Sequence, residues 1–473
     1  NLRTFLGLSY LQQGKPDAAI AEYQHALSLD PFNPLAHLGL AEIYDAQSRL
    51  AEAAASYEQV LALGGGDAYA RRQLAGVYER QGKNEEAVAE LTGAAGDDPG
   101  DAATLLQLAD LYGRMNQLED AAAAYGRVLS LKPESAPAHS GLASIEYKRC
   151  NLGAATQAAG RAAAIAPDVS LYRGIQASLY EAQGRTAEAA ALYDELAAAP
   201  PADAIAHLLA GSYLARQQAE NADSADAAAA DAAAADAAAA DAAVRELQVS
   251  QEAATGMPGL ASLAHHALGQ VYYAQGKLVA AESEFAAALA VLPANADAQA
   301  ALGDLALREG DAAAALAAYD AAAALLPAYA LQSADNAATL AVTLPARRGL
   351  ALARLAEGAE GGDAGPPQPE ATQPATSQQT TSQQATSQPA TAQQTTAAFD
   401  EAIAQGRALL ARAPQWPAAR FALANAYLAR GDAAQGDAES ADAEFKAAIQ
   451  CDRSLAVQRR LAEANLALLR GEK

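Results

Sequence analysis

The chain has 473 residues, and 32 Lys and Arg against 56 Asp and Glu give it a formal net charge of −24. Such an acidic chain repels phosphate groups, which argues against binding to nucleic acids or to anionic membrane surfaces. Aromatic residues make up only 5%, and alanine, the strongest helix former, is the commonest residue. The composition therefore favours an all-α fold over an all-β or α/β fold.

Residues of the same type recur every 34 positions. Four tyrosines keep this step, at Tyr10, Tyr44, Tyr78 and Tyr112. Six alanines keep it too, at Ala19, Ala53, Ala87, Ala121, Ala155 and Ala189. The same step returns farther along the chain between Gly276 and Gly310. A fixed period of this length predicts repeated supersecondary units rather than a few separate globular domains.

One period, residues 6–31, predicts a helical hairpin. Apolar residues at helical spacing form one face of a first helix, and Gly14 ends it because glycine adopts a left-handed conformation at low cost. Pro16 opens a second helix, in which Tyr23 and small alanines form the inner face. Pro31 closes the unit. Such a hairpin buries its apolar faces only by stacking on its neighbours.

These hairpins resemble the tetratricopeptide repeat. The residues that carry the resemblance in the first unit are Leu6, Gly7, Tyr10, Gly14, Ala19, Tyr23, Ala26 and Pro31. The resemblance implies an all-α, right-handed superhelical solenoid of about eleven hairpins. It also implies a concave groove, lined by the first helix of each hairpin, that binds extended peptides or partner helices.

The repeats divide the chain into five segments. Six contiguous repeats are expected over residues 1–203, and a seventh, over 204–258, is split by an Ala/Asp-rich helical insertion at 224–243. Two regular repeats follow over 259–329. A degenerate repeat is expected over 330–416, with its first helix near residues 350–358, and the last repeat and a terminal helix are expected over 417–473.

Two insertions have an unusual composition. Residues 224–243 repeat four alanines and one aspartate, and this tract is either a solvated extension of the seventh hairpin or a contact arm for another molecule. Residues 366–396 are almost only Thr, Ser, Gln, Pro and Ala. This linker in the degenerate repeat predicts a flexible loop or an O-glycosylated tract. The second alternative favours an extracytoplasmic or cell-surface location over a cytoplasmic one, without establishing either.

No pattern in the sequence indicates an enzyme, a metal site or a cofactor. There is no nucleophile elbow, phosphate loop or dinucleotide fingerprint. His37, His139 and His265 occupy the same place in their repeats, which indicates a structural role. Cys150 and Cys451 lie far apart without a CxxC spacing, so we expect no zinc site and expect each to pack as a small apolar side chain.

The expected groove positions carry apolar and acidic side chains. The apolar candidates for partner binding are Leu8, Leu38, Leu106 and Phe421, and the acidic ones are Glu42, Asp110 and Asp304. The family's clamp for a C-terminal carboxylate uses Lys, Asn and Arg, so these positions disfavour an acidic tail. They favour a partner with basic or apolar groups, although ordinary packing between repeats is an alternative role for each leucine.

The end of the chain supports a second hypothesis, in which the chain binds itself. Residues 455–470 carry apolar side chains together with arginines, in an otherwise acidic protein. This helix either caps the solenoid or stacks on the first repeats of another copy, which would give a filament. The candidate self-association residues are Arg453, Arg459, Arg460, Leu466 and Leu469.

Two functions therefore stand as expectations. The first is a non-catalytic scaffold that binds a protein or peptide in its groove. The second is a structural subunit that assembles head-to-tail into an extracellular or cell-surface filament. Neither expectation includes nucleic acid, insertion into a membrane or a cofactor.

Overall fold

The computed structural model describes residues 2–64, 68–223, 229–330, 332–360, 392–431, 437–456, 458–460 and 462–463. The regular secondary structure of these residues is helical. The chain forms two compact units, a first unit over Asn1–Gln176 and a second unit over Ala177–Lys473. The prediction of an all-α solenoid of helical hairpins is confirmed.

The first unit consists of consecutive helical hairpins. Its helices are α1 (Leu2–Gln12), α2 (Pro16–Leu29), α3 (Pro34–Ala46), α4 (Leu50–Ala62), α5 (Ala68–Arg80), α6 (Asn84–Asp97), α7 (Ala102–Arg114), α8 (Leu118–Leu131), α9 (Ala136–Lys148) and α10 (Leu152–Ile165). Each odd-numbered helix packs on the even-numbered helix that follows it. Helix α11 (Ser170–Ala182) contains the boundary between the two units.

The second unit continues with longer and less regular hairpins. Its helices are α12 (Thr186–Ala197), α13 (Ala204–Asp223), α14 (Ala229–Ala253), α15 (Pro258–Ala274), α16 (Leu278–Val291), α17 (Ala296–Glu309), α18 (Ala312–Ala330), α19 (Ala334–Glu360), α20 (Ala392–Arg412), α21 (Pro417–Arg430) and α22 (Asp437–Cys451). The pairs are α13 with α14, α15 with α16, α17 with α18, α19 with α20, and α21 with α22. The described part of the Ala/Asp-rich insertion lies in α14.

In several hairpins an aromatic ring from the second helix fills the space left by a glycine on a first helix. Tyr23 of α2 is 2% exposed and lies against both Gly7 and Gly39, where the absence of a side chain leaves room for its ring. In the second unit Phe285, which is fully buried, lies against Gly269 in the same way. The glycine therefore sets how closely the two helices of a hairpin approach.

The turn inside each of the first six hairpins uses one residue with a positive φ angle. Gly14 has φ +70°, as the sequence predicts, and Gly82 has φ +74°. The 34-residue step continues through residues with a Cβ, namely Ser48, Asn116 and Cys150, whose φ angles lie between 56° and 60°. The repeat geometry thus imposes the left-handed conformation even where the residue is not glycine.

The degenerate repeat differs most from the sequence-based expectation. Its first helix, expected near residues 350–358, is α19 and begins at Ala334. Pro345 lies inside this helix, and Leu344 before it and Ala346 after it are buried, so burial of apolar side chains outweighs the break that proline favours. Pro327, expected to close the ninth repeat, lies inside α18.

The linker prediction lies mostly outside the described residues. The structure describes nothing between residues 361 and 391, and α20 begins at Ala392, inside the predicted linker. Neither cysteine of the chain is a free thiol, which the sequence did not predict. Cys451 is buried, as expected of a side chain that packs in the core, and Cys150 is partly exposed.

Helix α18 has the length and apolar character needed to cross a membrane, by length and composition alone. In the structure it is the second helix of a hairpin. Its Ala315, Tyr319 and Ala322 are completely buried in the core of the second unit. This face packs against α17 and α19, while 28% of the apolar stretch of α18 is buried.

Candidate functional site

The first unit carries five of the predicted groove residues on its first helices. Leu8 is 45% exposed on α1, Leu38 is partly buried on α3 against the core, and Leu106 is partly buried on α7. Glu42 of α3 is partly buried and Asp110 of α7 is exposed. Neighbouring positions such as Leu40 and Leu108 belong to the core, so the predicted residues lie on a more accessible face of the same helices.

Tyrosine hydroxyls orient both carboxylates of this face. The hydroxyl of Tyr69, on the next first helix α5, donates to Oε1 of Glu42 at 2.9 Å. The hydroxyl of Tyr125, on α8, donates to Oδ1 of Asp110. Each carboxylate keeps its second oxygen for another donor, since a carboxylate accepts several hydrogen bonds. The arrangement can hold a cation or an N–H donor at a fixed position.

Asp304 of the second unit lies in a different environment. Its Oδ2 lies 2.9 Å from Nη1 of Arg347, and its Oδ1 accepts a hydrogen bond of 2.8 Å from the Tyr319 hydroxyl. Burial raises the pKa of Asp304, while the Arg347 guanidinium and the Tyr319 hydroxyl act in the opposite direction. Its charge is therefore compensated within the chain, which distinguishes it from Glu42 and Asp110.

A cavity of about 240 Å³ is lined by residues of α17, α19 and α21 and by Leu455 and Gln458. We call it the terminal pocket. Its lining includes Asp297, Leu340, Arg347, Phe421, Asn425 and Leu455. The predicted residue Phe421 thus lines the same cavity as the ion-pair partner of Asp304.

Sequence reasoning missed Asn425 and Arg347. Asn425 occupies the same repeat position as Glu42 and Asp110, because each follows a leucine by two residues. Aligning the repeats would therefore have identified Asn425 as a further candidate groove residue. No comparable signal marks Arg347, which lies in α19, in the part of the repeat that departs from the periodic pattern.

The predicted self-association residues are only partly described. Leu466 and Leu469 lie outside the described residues. Arg459 contacts carboxylates of its own chain, with Nη1 at 3.1 Å from Asp442 and Nε at 2.8 Å from Glu463.

The other two arginines of this set are exposed. Within the second unit, the backbone N–H of Arg453 donates to the carbonyl of Ala182 at 2.9 Å. Arg459 is thus already paired with carboxylates of its own unit, and the self-association role of the set stays a prediction.

The recurring histidines bind the turns between hairpins. Nε2 of His37 lies 3.1 Å from the carbonyl of Pro31, and Nε2 of His139 lies 3.0 Å from that of Pro133. His265 instead contacts Glu284, with Nδ1 at 2.8 Å from Oε2. Among the described residues, no group of three or more His, Cys, Asp and Glu could hold a metal ion.

Comparison with models of known protein families identifies tetratricopeptide repeats in this chain. The model of the tetratricopeptide repeat matches residues 6–68, 46–102, 106–170 and 266–330. No curated protein matches the chain.

Solved structures of similar fold include a tetratricopeptide repeat protein from Parabacteroides merdae. It is 18% identical with a TM-score of 0.40, and the alignment covers 55% of this chain and 97% of that one. A second is YrrB, described as having an unusual peptide-binding site, at 20% identity and a TM-score of 0.34, with 36% and 88% covered. A third is PilW, a type IV pilus biogenesis factor, at 24% identity and a TM-score of 0.36, with 42% and 92% covered.

Proposed function

We propose that the chain, which belongs to the tetratricopeptide repeat family, is a non-catalytic scaffold that binds a protein or peptide on the inner face of its first helices. One observation carries the proposal. At the same two repeat positions, Glu42 on α3 and Asp110 on α7 stay at least partly accessible beside the partly buried Leu38 and Leu106, whereas α5 between them carries Arg72 and Gly76. Acidic side chains that recur on alternate first helices offer an extended partner separate contacts along its length.

The charge of this face favours a partner with basic and apolar groups. Glu42 and Asp110 are both acceptors held by tyrosine hydroxyls, and the whole chain carries a net charge of −24. A basic partner gains attraction over a long range, and an acidic one meets repulsion. The leucines at the companion positions supply apolar contact between the charged sites.

Charge reversal tests this proposal. We would measure fluorescence anisotropy of labelled nonapeptide pools, blocked at both ends, with random flanks and a fixed central Lys or Glu. We expect the full chain to bind the Lys pool more tightly than the Glu pool. We expect Glu42→Lys combined with Asp110→Lys to weaken Lys-pool binding about tenfold and to flatten its salt dependence.

The matched control changes the same net charge on second helices. Glu85 of α6 and Asp120 of α8 are both exposed, so Glu85→Lys with Asp120→Lys keeps the total charge of the test variant. Equal losses in the two variants would show that only the net charge matters, and the proposed face would be rejected.

Self-assembly remains a second candidate because of one observation. Helix α1 exposes large apolar side chains, with Leu2 90% and Phe5 65% accessible. Exposed apolar surface of this kind often marks a contact surface. Light scattering over a dilution series tests it. A mass above 48.2 kDa that falls on dilution, and that is lost in Leu2→Glu with Phe5→Glu, would support assembly, whereas 48.2 kDa at every concentration would reject it.

A further inference from the structure

Helix α19 forms a polar wall of the terminal pocket. Thr339, Thr343 and Arg347 line the pocket and lie four residues apart, which places them on one face of the helix. The hydroxyl of Thr339 donates to the carbonyl of Asn336 at 3.0 Å, and that of Thr343 donates to the carbonyl of Leu340 at 3.3 Å. Each hydroxyl has one proton and two lone pairs, so both oxygens can still accept a hydrogen bond.

The lining of the pocket includes one charged side chain of each sign, Arg347 and Asp297. Nη1 of Arg347 lies 2.9 Å from Oδ2 of Asp304, and a guanidinium has five N–H donors, so this ion pair leaves donors for a ligand. Oδ2 of Asp297 accepts a hydrogen bond from the Tyr329 hydroxyl, which leaves Oδ1 as an acceptor. Burial lowers the pKa of Arg347, but the acidic groups around it, Asp304 most strongly and Asp297 among the others, raise it by more. The cation and the carboxylate of the pocket therefore lie within electrostatic range of each other.

Helix α21 contributes an aromatic ring and an open acceptor. Phe421 lines the pocket, and its ring packs edge-on against Phe445 with 5.2 Å between the ring centres. Oδ1 of Asn425 is buried, and no described residue donates to it, although the amide of Gln458 lines the same pocket. A ligand with N–H donors would satisfy an acceptor that the described part of the chain leaves open.

The size and the charges of the pocket define the ligand. The volume of about 240 Å³ lies below the roughly 300–1,000 Å³ typical of drug-sized ligands. Leu340 and Leu455, which are 4% and 6% exposed, extend the apolar surface of Phe421. A molecule with a single charge would meet a like charge at Arg347 or Asp297. A small molecule with both charges and one apolar group matches every part of the lining.

We propose that the terminal pocket binds a free α-amino acid with an apolar side chain. Its carboxylate contacts Arg347, and its ammonium group donates to Asp297 and to Oδ1 of Asn425. Its side chain packs against Phe421. A peptide end carries only one of the two charges, so this site is distinct from the peptide-binding face of the proposed function and does not depend on it.

Isothermal titration calorimetry of the full chain tests the proposal with three probes. L-leucine carries both charges, L-leucinamide lacks the carboxylate, and N-acetyl-L-leucine lacks the ammonium group. We expect L-leucine to bind at least tenfold more tightly than either analogue. Equal binding of either analogue would overturn the proposal, because one charge would then suffice, as it does at a peptide end.

Two variants test the residues assigned to the ammonium group. Asp297→Asn keeps an oxygen for the Tyr329 hydroxyl. Asn425→Leu removes an unpaired buried polar atom, so its urea midpoint should stay equal or rise. We expect each variant to weaken L-leucine binding at least tenfold. Glu309→Gln also removes one charge from α17, at an exposed position outside the pocket, and as the control it should leave binding unchanged.

Two further results would overturn the proposal. One is equal binding of L-leucine to the unmodified chain and to both pocket variants, and the other is no binding of L-leucine to the unmodified chain. Neither result affects binding of the Lys pool to the first helices, so a failure of this site is distinguishable from a failure of the proposed function.

Discussion

A single methyl group at Gly269 would test the glycine–aromatic packing that recurs in several hairpins. A Cβ placed on Gly269 would lie 2.5 Å from Cε1 and 2.6 Å from Cδ1 of Phe285, whose ring is fully buried. Carbon atoms in contact prefer separations of about 3.5–4.0 Å. The ring would have to withdraw by roughly 1 Å, and close packing around it resists this movement.

Two opposing terms set the expected effect of Gly269→Ala. Overpacking of a well-filled core costs about 1–3 kcal/mol. Alanine in place of glycine inside a helix gains about 0.5–1 kcal/mol. The net expectation is a loss of about 1–2 kcal/mol in the free energy of unfolding.

Urea unfolding followed by circular dichroism measures this loss, and Gly259→Ala serves as its control. Gly259 lies in the same helix, α15, and a Cβ there would meet nothing within 4 Å. The control should therefore equal or exceed the unmodified chain in stability. Phe285→Leu introduced into Gly269→Ala should recover part of the loss, since the two sites are in contact. A gain in stability for Gly269→Ala equal to that of the control would refute the packing argument.

Three further predictions concern caps and turns and can be checked by urea unfolding. Asp101 caps α7. Burial raises the pKa of Asp101, but its hydrogen bonds lower it by more, so the pKa lies below the ordinary 3.8. Asp101→Ala should therefore lower the free energy of unfolding by about 0.5–2 kcal/mol at pH 7. That difference should shrink as the pH falls below about 3.8, because the unmodified chain then loses the carboxylate's contribution; a constant difference would contradict it. Ser48→Gly should raise the free energy of unfolding by about 0.5–1 kcal/mol, and Gly82→Ser should lower it by a similar amount, since both positions have positive φ. A change in the same direction for both variants would contradict this. Asn295 caps α17 and donates to buried Ser262 at 2.9 Å, so Asn295→Ala should cost about 1–3 kcal/mol, and an unchanged midpoint would contradict the network.

The hairpins could be predicted from the sequence because residues with a direct structural role recur in it at a fixed spacing. Gly14 ends α1 in a left-handed conformation, and Tyr23 fills the gap between helices, as the spacing indicates. Ser48 and Cys150 occupy the same turn position without being glycine, so residue type alone would not have placed them there.

The features that sequence reasoning missed depend on tertiary packing. The first helix of the degenerate repeat was expected near residues 350–358, but α19 begins at Ala334 and contains Pro345, with the buried Leu344 and Ala346 on either side of the proline. The pairing of Asp304 with Arg347 likewise joins two repeats whose registers differ.

The central claim is that a partner binds the inner face of the first helices. The most direct measurement is photo-crosslinking of the Lys pool, with a benzophenone group beside the central lysine, followed by mass spectrometric mapping of the adducts. The account predicts adducts on α3 and α7 near Glu42 and Asp110, and their loss when both residues are changed to Lys. Adducts confined to second helices, or equal labelling of the charge-reversed chain, would contradict it.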